Sequence, residues 1–281
     1  MLSLALVTGL QGWGYEAHRL INRTAATILP EALGIYARDM ADTLAAHAPD
    51  PDVWRKTNPE EGYRHYIDVD YYSQYPFADI PRDYVRAVET YGEESLKNWG
   101  TSPWNINLFC DSLSTLMRRG QWEKVPVIMA ALGHYIADLH MPLHTVSNYN
   151  GQKTGNKGIH YRWEAQLVKR SITGITAFDT VRPAPALPDT NFAIIRESFS
   201  AHTRLLAADS KARKGLTAEE IDILAGYDDG PFIDRYLTIL QNETGELLQV
   251  RLNQAAYRVA LYWYNCWLNA DRPTPPVTAH D

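Results

Sequence analysis

The stretch ALGHYIADLHMPLH occupies residues 131–144 of the chain. It ends a strongly apolar segment, Trp122–His140, whose pattern predicts a helix that stops before Pro142. His134 and Asp138 interrupt its apolar run between Val125 and Leu139, and their spacing places both side chains on one helix face, one turn apart. Burying such a pair in an apolar helix is costly without hydrogen bonds or a metal ion. The stretch therefore predicts a helix that carries a polar site.

Helical signals dominate the rest of the chain as well. Apolar residues recur at intervals of three and four, and few segments alternate as a strand would. The predicted helices are Ala17–Leu29, Glu31–His47, Arg82–Trp99, Asn105–Arg119, Ile159–Lys169, Phe192–Ala208, Thr217–Leu224 and a long segment from Pro231 to Asn269. The segment HYIDVDYY at 65–72 is predicted to be an extended loop, and 173–191, with three prolines, is also predicted to be a loop. The pattern as a whole predicts an all-α, single-domain helical bundle with long loops.

The composition is that of an ordinary soluble globular protein. Of 281 residues, 45% are hydrophobic and 21% are charged. No run of apolar residues is long enough to predict a transmembrane helix. The net charge of −6 gives no general attraction for nucleic acid or for an anionic membrane. A phosphate-bearing substrate would therefore have to be held by local features of a site, and bound metal is the obvious candidate.

Both ends of the chain are predicted to lie outside the bundle, which is assigned to residues 13–270. Residues 2–10, LSLALVTGL, resemble the back half of a secretory signal peptide, so 1–12 is predicted to be its remnant. The stretch lacks a positive first region and an A-x-A cleavage site, and a buried helix start is the alternative. The tail DRPTPPVTAHD, 271–281, is rich in proline and is predicted to be disordered.

The two cysteines, Cys110 and Cys266, are too few and too far apart in sequence to form a thiolate zinc site. They are compatible with one disulfide in an oxidising compartment or with two buried thiols, and the sequence favours neither. Any metal ligands must therefore come from histidines and carboxylates.

Other histidines and acidic residues have spacings that suit a metal site. His160 and Glu164, in GIHYRWE, repeat the spacing of the first pair, and His144 follows the helix-ending proline. Taken singly, each residue is more often a hydrogen-bonded structural side chain than a ligand. Imidazole and carboxylate donors without thiolate suit zinc and other borderline divalent cations. The further candidates are His18 in WGYEAHRL, His65 in YRHYIDVD, and Asp50 and Asp52 in APDPDVWRK.

The order of these residues is similar to a known ligand pattern. It runs Trp…His…Asp…His…His-x-x-x-Asp-x-x-x-x-x-His…His-x-x-x-Asp/Glu from Trp13 to Glu164, and five of the nine histidines fall on it. This pattern resembles that of the trinuclear-zinc phosphodiesterase superfamily. Its two main branches are single-strand-specific nucleases and bacterial zinc-dependent phospholipases C. The resemblance covers over half of the chain, and every ligand position is filled.

The resemblance implies three zinc ions. The first would be held by Asp52, His65, His134 and Asp138. The second would be held by His144, His160 and Glu164. The third would be held by the N-terminal amine and carbonyl of Trp13, by His18 and by Asp138, which would bridge to the first. Asp52 is preferred to Asp50 because Arg55, three positions on, resembles the nuclease pattern, and Asp50 is the alternative.

The third zinc site also bears on localisation. An amine inside a peptide bond cannot bind zinc, so this site requires Trp13 to be the mature N-terminus. The resemblance therefore implies that the leader is removed after Gly12 and that the protein is secreted or periplasmic.

By resemblance, the reaction is hydrolysis of a phosphodiester by a metal-activated hydroxide. The hydroxide would lie between the first and third zincs, both bound by Asp138. Asp68 would orient the hydroxide, and Arg55 would meet the charge of the phosphate. Tyr66 would stack on a nucleobase, which favours unpaired strands because their bases are free.

Two features favour the nuclease branch, with single-stranded DNA or RNA as substrate. They are the five-residue step from Trp13 to His18 and the aromatic residue after His65. Glu164 stands where the nucleases commonly have Asp, and it favours a phospholipase C that acts on phospholipid head groups. A catalytically inactive zinc-binding relative is a further alternative, against which the complete ligand set argues. No stable protein partner is predicted.

Overall fold

The computed structural model describes residues 13–172, 174–176, 181–184, 186–226 and 230–276, so the predicted leader and residues 277–281 of the predicted tail lie outside it. Within these ranges the chain forms helices and no β-strand. The α-helices are α1 (Tyr15–Thr27), α2 (Glu31–Asp39), α3 (Ala41–His47), α4 (Asp50–Trp54), α5 (Val69–Tyr72), α6 (Tyr84–Tyr91), α7 (Glu93–Trp99), α8 (Ser102–Arg118), α9 (Val125–His140), α10 (Ile159–Tyr161), α11 (Val168–Ser171), α12 (Leu187–Ala212), α13 (Ala218–Ala225) and α14 (Ile233–Asn269). Two 3-10 helices, Pro59–Arg64 and Pro142–Thr145, and a π-helix, Arg162–Leu167, complete the set. The prediction of an all-α fold is confirmed.

Helix α9 lies at the centre of the bundle, in contact with α1, α3, α8, α12 and α14. Every residue from Met129 to His140 is buried, as expected for a helix that is apolar on all sides. Trp263 Nε1 donates to the Met129 carbonyl at 2.8 Å, and Asn22 Nδ2 donates to the Ala130 carbonyl at 3.1 Å. Despite this apolarity, α9 is too short to span a membrane, and no other helix in the described ranges is both long and apolar enough.

The last turn of α9 is fixed by side chains from other parts of the bundle. A helix C-terminus leaves carbonyl oxygens without partners inside the helix, and here buried donors satisfy them. The contacts are Trp13 Nε1 to the Ala137 carbonyl at 2.7 Å, Ser198 Oγ to the Leu139 carbonyl, and Arg251 Nε to the His140 carbonyl at 3.0 Å. The 3-10 helix Pro142–Thr145 follows this turn directly. Contacts from distant parts of the chain therefore fix the backbone on which the side chains before and after Pro142 are placed.

The extended segment 65–68 runs beside the residues that follow α9. Ile67 N donates to the His144 carbonyl at 2.9 Å. On the other side, Gly100 adopts a φ of +88°, and a Cβ there would lie 2.2 Å from the Tyr66 carbonyl oxygen. Only glycine allows this approach, so the segment is held between the 3-10 helix Pro142–Thr145 and the loop before α8.

Two predicted helices are each divided in the structure. The predicted helix Glu31–His47 is wrong at Met40, where ψ reaches 5° and the chain turns so that α3 packs against α1 and α9. Neither proline nor glycine occurs at this break. The packing of α3 against α1 and α9 accounts for it instead. The predicted helix Arg82–Trp99 is wrong at Gly92, whose φ of +80° separates α6 from α7.

Two predicted loops contain helical residues. The loop predicted at 65–72 ends in the short helix α5, so the prediction holds only for its first half. The loop predicted at 173–191 is wrong from Leu187 onward, where α12 begins. Pro188 lies in the first turn of α12, a position in which proline favours the start of a helix. Residues 173, 177–180 and 185 lie outside the described residues.

The cysteines of the chain are both buried. Cys110 lies in α8 and Cys266 in α14, and both are free thiols. A hydrogen bond with Cys266 and burial raise the pKa of the Cys110 thiol well above its ordinary value. Of the two arrangements that the sequence allowed, a disulfide or two buried thiols, the structure has the two buried thiols.

Gly133 provides a test of how tightly α9 is packed. A Cβ at this position would lie 2.2 Å from Asn22 Oδ1, and Asn22 cannot retreat without losing its bond to α9. We expect Gly133→Ala to lower the free energy of unfolding by about 1–2 kcal/mol, since overpacking outweighs the gain in helix propensity. Denaturant unfolding would measure the change.

Gly245→Ala, in α14, is the matched control. Its Cβ would make an ordinary contact of 3.5 Å with Gln241 Cγ. We expect this substitution to raise the free energy of unfolding by about 0.5–1 kcal/mol. Equal effects of the two substitutions would contradict the proposed tight packing at Gly133.

Candidate metal centre

The first group of donor atoms is built on one face of α9. His134 Nε2 and Asp138 Oδ2, one helical turn apart, are separated by 3.3 Å. The extended segment 65–68 contributes His65, whose Nδ1 is 2.9 Å from Asp138 Oδ2 and 3.0 Å from His134 Nε2. All three residues are buried. Three potential ligand atoms from distant parts of the sequence thus converge on one point.

Asp52 adds a carboxylate to this first group. It is buried on α4, and its Oδ1 is 3.9 Å from His65 Nδ1 and 4.0 Å from His134 Nε2. Asp50, the alternative, instead pairs with His47, with Oδ2 2.7 Å from Nδ1 and both side chains partly exposed. The geometry therefore brings Asp52, and not Asp50, to the donor atoms.

A second group lies where the chain returns after α9. His160 Nε2 is 3.0 Å from Glu164 Oε2, and His144 Nε2 is 3.6 Å from the same oxygen. A loop joins these residues, and Asn156 Nδ2 anchors it by donating to Asp209 Oδ2 on α12 at 2.6 Å. All three donor residues are buried.

His18 and Trp13 lie beside the first group. His18 Nε2 is 3.4 Å from Asp138 Oδ1, the oxygen that does not face His65, and its ring stacks on His134 with centroids 3.9 Å apart. The indole of Trp13 is buried and bonded to Ala137, the neighbour of Asp138. Every predicted ligand residue is therefore in or directly beside the cluster.

The donor atoms fit a group of divalent cations. Several are buried without a hydrogen bond, an arrangement that is costly unless another partner is present. They include His18 Nε2, Asp138 Oδ1, His144 Nε2, His160 Nε2 and Glu164 Oε2. Two ligands of a tetrahedral zinc ion are about 3.3 Å apart, given bonds of about 2.0–2.1 Å. The separations of 2.9–3.6 Å between the closest donor pairs span that value.

The protonation states of the histidines suit metal binding. Burial lowers the pKa of His18 and of His160 to about 4. Burial also lowers the pKa of His65 to about 3. An imidazole must be neutral to bind a cation, and these three rings are neutral at physiological pH.

The pKa values of the carboxylates Asp138 and Glu164 are shifted in opposite directions. Burial opposes the charge of Asp138, but His134 and His144 hold the pKa of Asp138 well below its ordinary value. Burial alone would lower the pKa of His134, but Asp138 raises it. Burial raises the pKa of Glu164 to about 8. Asp138 is therefore ionised and able to bind a cation, whereas a cation at the second group would displace the proton of Glu164.

Three further residues are predicted to act without binding metal: Asp68 and Tyr66 belong to the segment that carries His65, and Arg55 lies beside Asp52. Asp68 is buried, and burial together with Asp70 raises its pKa to about 7. Arg55 Nη1 is 3.8 Å from Asp52 Oδ1, and its side chain is 29% exposed. Tyr66 is partly exposed, and its hydroxyl donates to the Asn98 carbonyl at 3.3 Å.

The sequence reasoning missed the groups that orient the histidine rings. Three rings donate Nδ1–H to backbone carbonyls, which turns Nε2 towards the cluster. The pairs are His134 to Ala48 at 2.9 Å, His144 to His65 at 2.8 Å, and His160 to Tyr149 at 3.1 Å. Backbone acceptors leave no signal in the sequence. Glu61 was also not singled out, although it is a buried acid four positions before His65, the same spacing as that of His134 and Asp138; its Oε1 is 3.6 Å from His65 Nε2.

The all-helical fold and the buried cluster of histidines and carboxylates place the protein in a class: helical proteins with a candidate site for several metal ions. Residues 13–170, more than half of the chain, match the model of the S1/P1 Nuclease family, and the chain belongs to that family. The family consists of zinc-dependent hydrolases of phosphodiester bonds within the trinuclear-zinc phosphodiesterase superfamily, so the predicted resemblance is confirmed. A search of curated proteins finds no match to the chain.

Removal of metal should destabilise the protein strongly. A ligand that binds only the folded state stabilises it by about 4 kcal/mol when its free concentration is about 1,000 times its dissociation constant. We therefore expect a chelator to lower the melting temperature and added zinc to restore it. Calorimetry with and without chelator would measure the change. Unchanged melting in chelator would contradict a metal centre.

Substitution of one ligand should separate metal binding from folding. We expect His134→Ala to lose zinc, as measured by metal analysis of the purified protein. His202→Ala is the control, because His202 lies on α12 and donates only to the Phe199 carbonyl. Full zinc content in His134→Ala would refute the assignment of this residue.

Proposed function

We propose that this protein is a zinc-dependent endonuclease that hydrolyses single-stranded DNA and RNA. The observation that carries the proposal is the position of Asp138, whose two oxygens face different donors. Asp138 Oδ2 is 2.9 Å from His65 Nδ1, and Asp138 Oδ1 is 3.4 Å from His18 Nε2. A carboxylate with donors on both sides suits a bridge between two cations.

The proposed ligand assignment uses all donors of the cluster. The first zinc would be held by Asp52, His65, His134 and Asp138, the second by His144, His160 and Glu164, and the third by Trp13, His18 and Asp138. The third site needs the free amine of Trp13, so we also propose that the leader is removed and that the protein is exported. S1/P1 nucleases are typically secreted, which supports this proposal.

The protein groups around the cluster would perform distinct steps. When bound, zinc supplies a water of lowered pKa and neutralises charge on the phosphoryl and leaving oxygens. Asp68 Oδ1 is buried without a hydrogen bond to the protein, and it would accept a proton of the attacking water. Its pKa of about 7 allows it to gain and release that proton near neutral pH. The Arg55 guanidinium would hold a phosphoryl oxygen through a charge-assisted hydrogen bond.

Several features support nucleic acid rather than phospholipid as the substrate. The matching family is one of nucleases, and a nuclease implies a nucleic acid substrate. Tyr66, next to His65 and partly exposed, offers a ring face to an unpaired base. Glu164 in place of the Asp common in nucleases favours the second candidate, a phospholipase C. An inactive zinc-binding relative would not need Asp68 and Arg55 beside a complete ligand set.

The substrate is tested with protein exported from a host, with its zinc content measured. We expect cleavage of single-stranded DNA and RNA, slower cleavage of duplex DNA, and no release of phosphocholine from phosphatidylcholine. Cleavage of the lipid alone would assign the protein to the phospholipase branch. Full zinc content without any hydrolysis would favour the inactive relative.

Asp138→Asn should abolish hydrolysis, because the amide weakens the link between two cations. We expect kcat/KM on single-stranded DNA to fall by more than about 100-fold. Asp111→Asn is the control, since Asp111 is exposed on α8 and contacts none of the donors. Equal activity of the two variants would contradict the proposed role of Asp138.

Tyr66 should act through its ring and not through its hydroxyl. We expect Tyr66→Ala to raise KM for single-stranded DNA by about 5- to 150-fold, the equivalent of about 1–3 kcal/mol of stacking. Tyr66→Phe keeps the ring and loses only the bond to the Asn98 carbonyl, so its KM should stay near that of the wild type. Equal KM values for Tyr66→Ala and Tyr66→Phe would argue against stacking.

A further inference from the structure

Glu61 is a buried carboxylate that the proposed mechanism does not use. It lies in the 3-10 helix Pro59–Arg64 and is 1% exposed. Burying a carboxylate costs several kcal/mol unless it is paired and hydrogen-bonded. Its surroundings therefore indicate why the chain keeps a charge at this position.

Two side chains hold the Glu61 carboxylate in place. Tyr135, on α9, donates its hydroxyl to Oε1. Arg64 Nη1 donates to Oε2 at 3.0 Å. The carboxylate is therefore fixed from both sides, with Oε1 directed towards α9. His65 also lies near that oxygen, with its Nε2 3.6 Å away.

His65 differs from the other histidines of the metal centre in how its ring is directed. The rings of His134, His144 and His160 donate Nδ1–H to backbone carbonyls and direct Nε2 towards the donor cluster. His65 directs Nδ1 towards the cluster, and its Nε2 is buried without a hydrogen bond. A movement of about half an ångström would complete a bond between His65 Nε2–H and Glu61 Oε1.

We infer that Glu61 is a positioning residue that fixes the ring orientation and tautomer of His65 for metal binding through Nδ1. A proton on Nε2 leaves the Nδ1 lone pair free, and an ionised acceptor at Nε2 makes Nδ1 a stronger donor to a cation. Tyr135 and Arg64 hold the carboxylate at the correct place. This inference rests on the proposed zinc site at His65.

The inference is tested by chelator competition on the full chain, with wild type, Glu61→Gln, Tyr135→Phe and Glu60→Gln. We expect Glu61→Gln to weaken the binding of one zinc ion by about 10- to 100-fold and to leave the other zinc ions unaffected. Tyr135→Phe keeps the carboxylate but removes one of its supports, so its effect should be smaller. Glu60→Gln is the same chemical change at the neighbouring, exposed residue and should leave zinc affinity unchanged.

A second readout separates positioning from simple structural support. In zinc-loaded protein carrying isotope-labelled histidine, we expect an NMR signal from the His65 Nε2 proton that moves in Glu61→Gln and stays in Glu60→Gln. A structural role alone would lower the melting temperature of the metal-free protein and leave this signal and the zinc affinity unchanged. That result would overturn the inference.

The outcomes also separate this inference from the proposed function. Wild-type protein that binds zinc and cleaves single-stranded DNA, with Glu61→Gln of equal zinc affinity and an unchanged His65 signal, would overturn the role of Glu61 alone. Wild-type protein without affinity for zinc would overturn both proposals.

Discussion

The burial of Asp138 is the constraint on which the rest of this structure depends. Its side chain is inaccessible to solvent, near the end of an apolar helix in the middle of the bundle. A carboxylate there costs several kcal/mol unless opposite charge surrounds it. The raised pKa of His134, on the same helix, favours that opposite charge, while the neutral ring of His65 contacts Asp138 at 2.9 Å in the metal-free protein. A cation would supply it more completely, so the requirements of folding and of metal binding coincide.

Contacts from other helices hold the end of α9, and this turn lies between the two donor groups. Asp138 precedes the break at Pro142 and His144 follows it, so a small rotation of this turn would displace both groups at once. Arg251 restrains the turn through the His140 carbonyl and is itself paired with Glu197 at 3.0 Å. Catalytic groups must be held to within about 0.5 Å, and the buried Arg251, fixed by its pair with the partly exposed Glu197, provides this restraint.

The sequence was most informative where chemistry and local geometry coincide. The pairs His134–Asp138 and His160–Glu164 follow from helix periodicity, because side chains four residues apart share a face. The convergence of His65 and Asp52 on α9 could be inferred only through the family resemblance, since the backbone contacts that bring them there leave no pattern. The break at Met40 was likewise invisible, because packing of α3 and not a helix-breaking residue causes it. Glu61 lies four positions before His65, so the same spacing argument applies to it.

The net charge of −6 is at odds with a polyanionic substrate only when it is averaged over the whole surface. The proposed ligand set contributes three carboxylates, from Asp52, Asp138 and Glu164, and the histidines bind as neutral rings. With the proposed three divalent ions, the centre would carry a formal charge of about +3, and Arg55 would add to it. An electrostatic field of this kind is local, because screening limits it to roughly 10 Å at moderate salt. The chain would therefore attract a phosphodiester at the centre while the rest of its surface repels nucleic acid, which favours brief contact with one strand over tight binding along it.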